Sequence, residues 1–411
     1  MISFPKVKSF NKYLSSILMI SGAYLLIKSQ ISLGEWAEAL VKNAGLTVLL
    51  LSVPLLSIIF RLEDFSSHIS SFARKHIKSD FSFYTLTLLL NNFFGIILNV
   101  ASFPMVHKLL ENISGKHPRK AYYKALTRGF CLAQLWAPNF VVMAIVLQYS
   151  GLEWHSYVPV GILLSVIGTS ISTILAKIDT QKHKDETLSE IIIQKEENIE
   201  GDLQGVLKVI SIAVFLILFI IGFQYLSGKS ILVIVPLASV IFPIALAVLL
   251  RKLETYKEGF KEYFNTILPR KNSEIILFTA VGFFGYALSS SGADKYIPLI
   301  IKSTGISNPA ILIPFIILLI FTLSMIGFHP ILTISAISIA YSAGAIPISQ
   351  IQLAAVFSIG YFSYTLLSPF SGMILAVASL ERKNPLDVGI KINLIFWVLF
   401  ICISSVVIPI L

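Results

Sequence analysis

The chain has 411 residues, of which 55% are hydrophobic and only 13% charged. Soluble domains carry roughly a quarter charged residues, so a soluble enzyme, a disordered tail and a nucleic-acid binder are excluded. A mean hydropathy of +0.82 leaves a polytopic membrane protein, and the two cysteines, Cys131 and Cys402, both in apolar runs, leave no disulfide scaffold or cysteine zinc site.

The first apolar run, 13–28, has no convincing small-residue cleavage site and reads as a retained span, and a second span covers 44–60. The run 82–112 is too long for one crossing and is interrupted between Gly95 and Pro104. It reads as a re-entrant hairpin, which enters and leaves on one side and needs protein or a water-filled cavity around its irregular turn. Spans at 129–150 and 156–176 follow. Residues 177–206, with eight acids and four lysines, read as a cytoplasmic linker in which Ile191-Ile192-Ile193 could sit on a short amphipathic helix. Spans at 207–226, 231–250 and 274–291 come next. Between the last two, Glu254, Lys257, Glu258, Lys261 and Glu262 have the i,i+4 spacing of a surface helix over 254–266. The run 309–345 breaks at Gly327-Phe328-His329-Pro330 and reads as a second hairpin; 352–379 and 391–411 complete nine full spans.

The basic residues test this map. With the N-terminus cytoplasmic and both long runs re-entrant, 27 of the 32 lysines and arginines fall on the cytoplasmic side. Lys28, Lys42, Lys229, Lys295 and Lys302 fall outside. This is the positive-inside pattern, and it accounts for the net charge of +10 through topology and anionic lipid, with no nucleic-acid partner. It also places the C-terminus outside.

The two halves share one order of parts. A first repeat in 1–176 runs span, span, hairpin, span, span; 177–230 holds the linker and a connecting span; 231–411 repeats the order in the opposite orientation. Leu135-Trp136-Ala137-Pro138-Asn139-Phe140-Val141-Val142-Met143-Ala144 parallels Leu367-Ser368-Pro369-Phe370-Ser371-Gly372-Met373-Ile374-Leu375-Ala376. Each stretch carries a proline that should break its helix near mid-membrane. The expected fold is thus all-α and polytopic, with two inverted repeats, each holding a re-entrant helical hairpin and a Pro-broken span. In secondary transporters the binding site lies where such breaks meet.

These motifs resemble the ion transporter superfamily, which includes divalent anion/sodium symporters, arsenite and citrate permeases and the large subunits of TRAP transporters. Its members carry hairpins tipped by a Ser-Asn-Thr-like turn, then helices broken at a small-Pro-Pro-Asn-like turn. The matching stretches here are Asn99-Val100-Ala101-Ser102-Phe103-Pro104, Ala137-Pro138-Asn139, Ser324 to Thr333, and Ser368-Pro369-Phe370-Ser371; Ser-Asn-Thr itself is intact at neither tip. The resemblance implies a homodimer.

No acidic residue is placed at mid-membrane; Glu274, at a cytoplasmic span end, is the deepest. A sodium ion can instead be held by unwound backbone carbonyls with Asn and Ser oxygens, here Asn99, Asn139 and Ser368, while helix N-termini favour an anion. The candidate substrate and ion residues are Asn99, Ser102, Pro138, Asn139, Ser324, His329, Thr333, Ser368 and Ser371. His329 is the only ionisable residue at either tip and reads either as a substrate contact or proton carrier, or as a cap for a carbonyl freed by Pro330. Asn99 and Asn139 can cap helices as well as bind. Asn91 and Asn92 read as helix-packing contacts, Arg128 as a headgroup anchor and Trp136 as packing beside the break.

These features point to a secondary active transporter of a small anion, coupled to Na+ or H+, in which one repeat bundle moves against the other as an elevator. No other cofactor is expected, and no Gly-Lys-Ser/Thr phosphate loop is present. A membrane-embedded enzyme would need a carboxylate pair, a His-Glu-x-x-His helix or a Ser/Lys dyad, and the sequence offers none. A flippase for a lipid-linked or polyprenyl-phosphate cargo on the same scaffold stays open, because Phe328 and Ile331 make the second tip apolar. An excess of Lys over Arg with abundant Ile suits an AT-rich bacterial genome, hence a bacterial inner membrane.

Overall fold

Within a bilayer the backbone must satisfy its own hydrogen bonds, and the helix does this within one segment. The computed structural model describes residues 9–62, 72–73, 75–99, 102–114, 117–184, 203–292 and 308–411, and every regular element among them is helical. The first part of the chain forms α1 (Ser9–Lys28), then α2 (Leu33–Val41), α3 (Ala44–Ser52), a 3-10 turn (Val53–Ile58) and α4 (Ile59–Leu62). The first hairpin is α5 (Asp80–Leu98) and α6 (Ser102–Ser114), and the broken span is α7 (Arg119–Ala133) and α8 (Val141–Ser150), followed by α9 (Trp154–Lys184). Next come α10 (Leu203–Ser227), α11 (Ile231–Leu249), α12 (Leu253–Glu262) and α13 (Asn272–Ser290). The second hairpin is α14 (Pro309–Met325) and α15 (Pro330–Ser342), the second broken span α16 (Gln350–Leu367) and α17 (Gly372–Glu381), and α18 (Ile392–Val407) closes the fold.

Seven of the nine expected spans coincide with helices long and apolar enough to cross a membrane, beginning with Leu33–Leu62 and ending with Asp387–Ile410. The remaining two are α1, which extends the expected 13–28 to a 20-residue helix, and the broken span, divided between α7 and α8. The returning hairpin arms α6 and α15 have 13 residues each. At about 1.5 Å per residue that is roughly 20 Å, too short for a hydrocarbon core of about 30 Å. Each packs back on its partner arm, α6 on α5 and α15 on α14. The surface helix expected over 254–266 is α12, which runs through a π-helical turn at Tyr263–Ile267 toward α13. The 191–193 run and most of the linker lie outside the described residues.

The packing divides the helices into two groups. In one, α1 lies along α13, while α11 lies along α3 and its 3-10 continuation. In the other, α5 packs on α7, α14 on α16, α8 on α16, and α9 on both α7 and α18. Contacts between the groups run through α3 with α8, α13 with α15, and the 3-10 turn with α5.

Glycines set the closest approaches in the second group. A Cβ at Gly161 of α9 would lie 2.2 Å from the Leu135 carbonyl oxygen, and a Cβ at Gly389 would lie 2.4 Å from the Leu367 carbonyl oxygen. Leu135 and Leu367 are the residues that the sequence parallel brings into register, so the helix after each broken span touches the break at the same place.

Candidate functional site

The first break is a seven-residue turn, 134–140, buried except at Trp136. Helix α5 ends in Asn99, whose backbone has φ +50° and whose amide bonds the Gly95 carbonyl. The Asn99 Nδ2 donates to the Asn139 carbonyl at 2.7 Å, and the Asn139 Nδ2 donates to the same Gly95 carbonyl at 3.3 Å. The two asparagines therefore join hairpin tip to broken span and occupy carbonyls that a helix end leaves free. Both are buried, as is Pro138. Asn139 Oδ1 and Ser102 Oγ are buried and have no hydrogen-bond partner. Asn91 Oδ1 and Gln134 Oε1, in the same pair of helices and turn, share that condition.

The second break is also tied to its hairpin, by a different bond. Ser368, the last residue before Pro369, donates from its Oγ to the Ser324 carbonyl at 2.8 Å. In the register of the sequence parallel Ser368 stands opposite Trp136, and Ser371 opposite Asn139. Ser371 caps α17 by accepting from the Ile374 amide at 3.2 Å, and its hydroxyl donates to the Thr365 carbonyl at 2.9 Å. The Ser324 hydroxyl bonds within its own helix, to the Phe321 carbonyl, so the backbone of Ser324 rather than its side chain meets the break.

His329 caps α15. Its Nδ1 accepts from the Ile331 amide at 3.3 Å, which puts the ring proton of the neutral form on Nε2, 3.5 Å from the Tyr361 hydroxyl. Phe278, Tyr361 and Tyr364 surround the imidazole with ring centroids 5.6–5.8 Å away. His329 is thus a helix cap of another kind than expected: its ring nitrogen accepts from an amide, where the expectation was a ring N–H donating to a carbonyl freed by Pro330. Thr333 departs from expectation. It lies one turn inside α15 and lines an apolar cleft of about 480 Å³ with Leu14, Leu18 and Phe328, away from Ser368.

Arg128 also departs from its expected place. It is 2% exposed, not at a headgroup. Its guanidinium donates to Asn393 Oδ1 (3.0 Å), the Tyr84 hydroxyl (3.0 Å) and the Ile392 carbonyl (3.2 Å), and sits 4.6 Å from the centre of the Phe396 ring. The reason is α18, which covers the start of the broken span from 264 residues away in sequence. Asn91 packs as expected, its Nδ2 donating to the Leu126 carbonyl of α7. The Trp136 indole donates to Asn92 Oδ1 at 3.3 Å, and its carbonyl accepts from Trp154. Trp136 and Asn92 line a second cleft, of about 590 Å³, between α5, α9 and α10.

Four helices, α6, α8, α15 and α17, begin at the tips and breaks. α8 has no side-chain cap, leaving its first amides free. The local arrangement thus offers unpaired oxygens for a cation at the first break and helix N-termini for an anion.

No protein-family model and no curated protein matches the chain. Solved structures do share its fold. The YdaH transporter of Alcanivorax borkumensis is similar over 91% of this chain and 86% of that one, with a TM-score of 0.62 and 13% identity. MtrF of Neisseria gonorrhoeae, described with a class of antimetabolite efflux pumps, is similar over 95% of this chain and 94% of that one, with a TM-score of 0.55 and 12% identity. The chain therefore has a fold found in membrane transporters, over nearly its whole length.

Proposed function

We propose that the protein is a secondary active transporter that moves a small anion across the membrane, coupled to an ion, by an elevator-type motion of one helix group against the other. The observation that carries this reading lies at the first break and its hairpin tip: the buried side-chain oxygens Asn139 Oδ1 and Gln134 Oε1 in the break and Ser102 Oγ at the tip have no partner. A buried polar atom without a partner is costly, and a bound ion or water is the usual remedy. Sodium is the coupling ion that suits neutral oxygens. Asn99 through its Nδ2 and Ser368 through its Oγ also donate to backbone carbonyls, so these members of the expected sodium site shape the breaks as well. Helix N-termini at both breaks suit the anion.

The inverted repeat is supported by the paired contacts of Gly161 with Leu135 and Gly389 with Leu367, the two residues that the sequence parallel aligns. Membership of the ion transporter superfamily rests on the motif resemblance; the structural neighbours are named as transporters and not as members of it. The same reading takes the protein to be a homodimer in a bacterial inner membrane with a cytoplasmic N-terminus.

The test is thermal stability of the purified protein against a panel of small carboxylates and inorganic oxyanions, each with sodium, potassium or acid pH. A ligand of the folded state raises the melting temperature by mass action. A shift that requires an anion and sodium together is the expected result. A second reading, transport of a lipid-linked cargo, is favoured by the apolar clefts beside Phe328 and Trp136. No shift with any small anion, and a shift with a polyprenyl phosphate, would give it precedence.

A further inference from the structure

Asn43 interrupts the second span between α2 and α3, and its side chain is 1% exposed. An asparagine buried among membrane helices requires partners, and this one has four contacts. Its Nδ2 donates to the Phe278 carbonyl of α13 and to the Tyr149 hydroxyl, each at 3.0 Å. Its Oδ1 accepts from Gln148 Nε2 at 2.6 Å and lies 3.3 Å from the Tyr149 hydroxyl. Gly282 makes room for it, since a Cβ there would be 2.8 Å from the Asn43 Cγ.

The partners belong to different groups of helices. Asn43 and Phe278 belong to the α1–α4 and α11–α13 group. Gln148 and Tyr149 are in the last turn of α8, the outer half of the first broken span. On its other side α8 is tied to the second hairpin, where the Ser338 hydroxyl donates to the Tyr149 carbonyl at 2.6 Å. Other contacts between the groups are made by rings, such as Phe60 with Phe94 and Phe278 with His329. Apolar surfaces can slide with little change in free energy, whereas a hydrogen-bonded set in low dielectric has a preferred register.

We infer that Asn43, Gln148 and Tyr149 form a latch that fixes the register between the two helix groups in this conformation, and that transport requires it to open. The inference rests on the elevator reading and adds to it the contact that sets the balance between its two end states. Opening breaks the Asn43 bonds to α8 while Asn43 keeps its bond to Phe278, so the latch is paid out on one side only. Weakening it from the α8 side therefore shifts the balance and leaves the α2–α3 break supported.

The experiment is distance measurement by pulsed electron resonance in lipid nanodiscs, with and without sodium chloride. Spin labels go at Glu258→Cys on α12 and Lys177→Cys on α9, both exposed, in a Cys402→Ser background with the buried Cys131 retained. The test variant is Tyr149→Phe, which removes one hydroxyl from an otherwise unchanged ring. The expected result is two distances in the parent protein and about a tenfold change in their ratio in the variant, against the distance that corresponds to this structure; tenfold is roughly the 1.4 kcal/mol that one or two net hydrogen bonds supply. Gln148→Leu is read by the same criterion should Tyr149→Phe fail to fold. A ratio unchanged within about twofold overturns the latch and leaves the elevator standing. One distance in parent and variants under both conditions overturns the elevator reading and the latch with it. A loss of melting temperature alone, with the ratio unchanged, counts as a structural role and also overturns the latch.

Discussion

Ser102 and Asn139 differ from the other proposed site residues in keeping a buried oxygen that nothing in the fold satisfies. Truncating such a group removes a burden from the folded state rather than a bond. Ser102→Ala is therefore expected to leave the melting temperature without ligand unchanged or slightly raised, within about 1 kcal/mol. Its sodium-dependent shift should fall at least as for a tenfold loss of affinity, roughly 1.4 kcal/mol. Thermal scans across a sodium series check both halves, and a destabilised Ser102→Ala protein with intact sodium response would show that the hydroxyl is structural. His329 presents the opposite case, because its Nδ1 already caps α15. Asparagine is a good N-cap and alanine a poor one, a difference of about 1 kcal/mol. His329→Asn should accordingly keep the stability that His329→Ala loses. If the Asn variant also keeps ligand-induced stabilisation, the imidazole has no role beyond the cap; the expected outcome is restored stability with weakened anion response, since Tyr361 and Tyr364 hold the ring at the second tip. Arg128 marks the limit of residue-level reading. A cation at the start of an apolar run looks like a headgroup anchor, and only the packing of Asn393 and Phe396 from the far end of the chain makes it a buried crosslink.

Helix boundaries follow from local chemistry, and most were legible. Pro330 opens α15 where a proline costs nothing, Gly327 with φ +101° ends α14, and the Pro138 and Pro369 turns interrupt their spans where the residue pattern places them. Helix α2 ahead of Asn43 was not legible, because Glu35, Glu38 and Lys42 interrupt its apolar pattern, and the partners that bury Asn43 are over 100 residues away. Nor was the placing of Thr333 on the apolar side of α15, which depends on the rotation of a helix with little amphipathic pattern. The contact of Gly161 with the first break is an element-level feature with a sharp consequence. Gly161→Ala would put a methyl group 2.2 Å from a backbone oxygen that cannot move without shifting the whole turn. We expect a loss of at least about 3 kcal/mol, or failure to accumulate in the membrane. Gly222 of α10 has nothing within 4 Å of its Cβ position, so Gly222→Ala should be neutral or stabilise by up to about 1 kcal/mol. Comparing the two by thermal unfolding in detergent separates crowding at the break from the general effect of filling a helix glycine; equal melting temperatures would remove the close approach of α9 as a constraint.

At the scale of the molecule, the orientation of every loop depends on whether the two long apolar runs cross the membrane. The charge count argues that neither does, since turning either into a crossing would invert all later loops and spoil a bias of 27 in 32. The geometry argues the same independently: each run contains a complete helix of 13 residues, about 20 Å long, that folds back on its partner arm. On the proposed topology, two returning hairpins and nine crossings would put the ends of the chain on opposite sides. A periplasmic reporter enzyme fused after Leu411 should therefore be active in bacterial cells, while a fluorescent protein that matures only in the cytoplasm should stay dark there and be bright when fused before Met1. Bright fluorescence at both ends would mean that one run crosses. In that case the two halves would have the same orientation, the breaks would no longer be related by inversion, and the alternating-access reading would lose its structural basis together with the topology. The predicted pattern instead leaves the two broken spans antiparallel, with helix N-termini entering the membrane from both sides, which is the condition for one site to be served from either face.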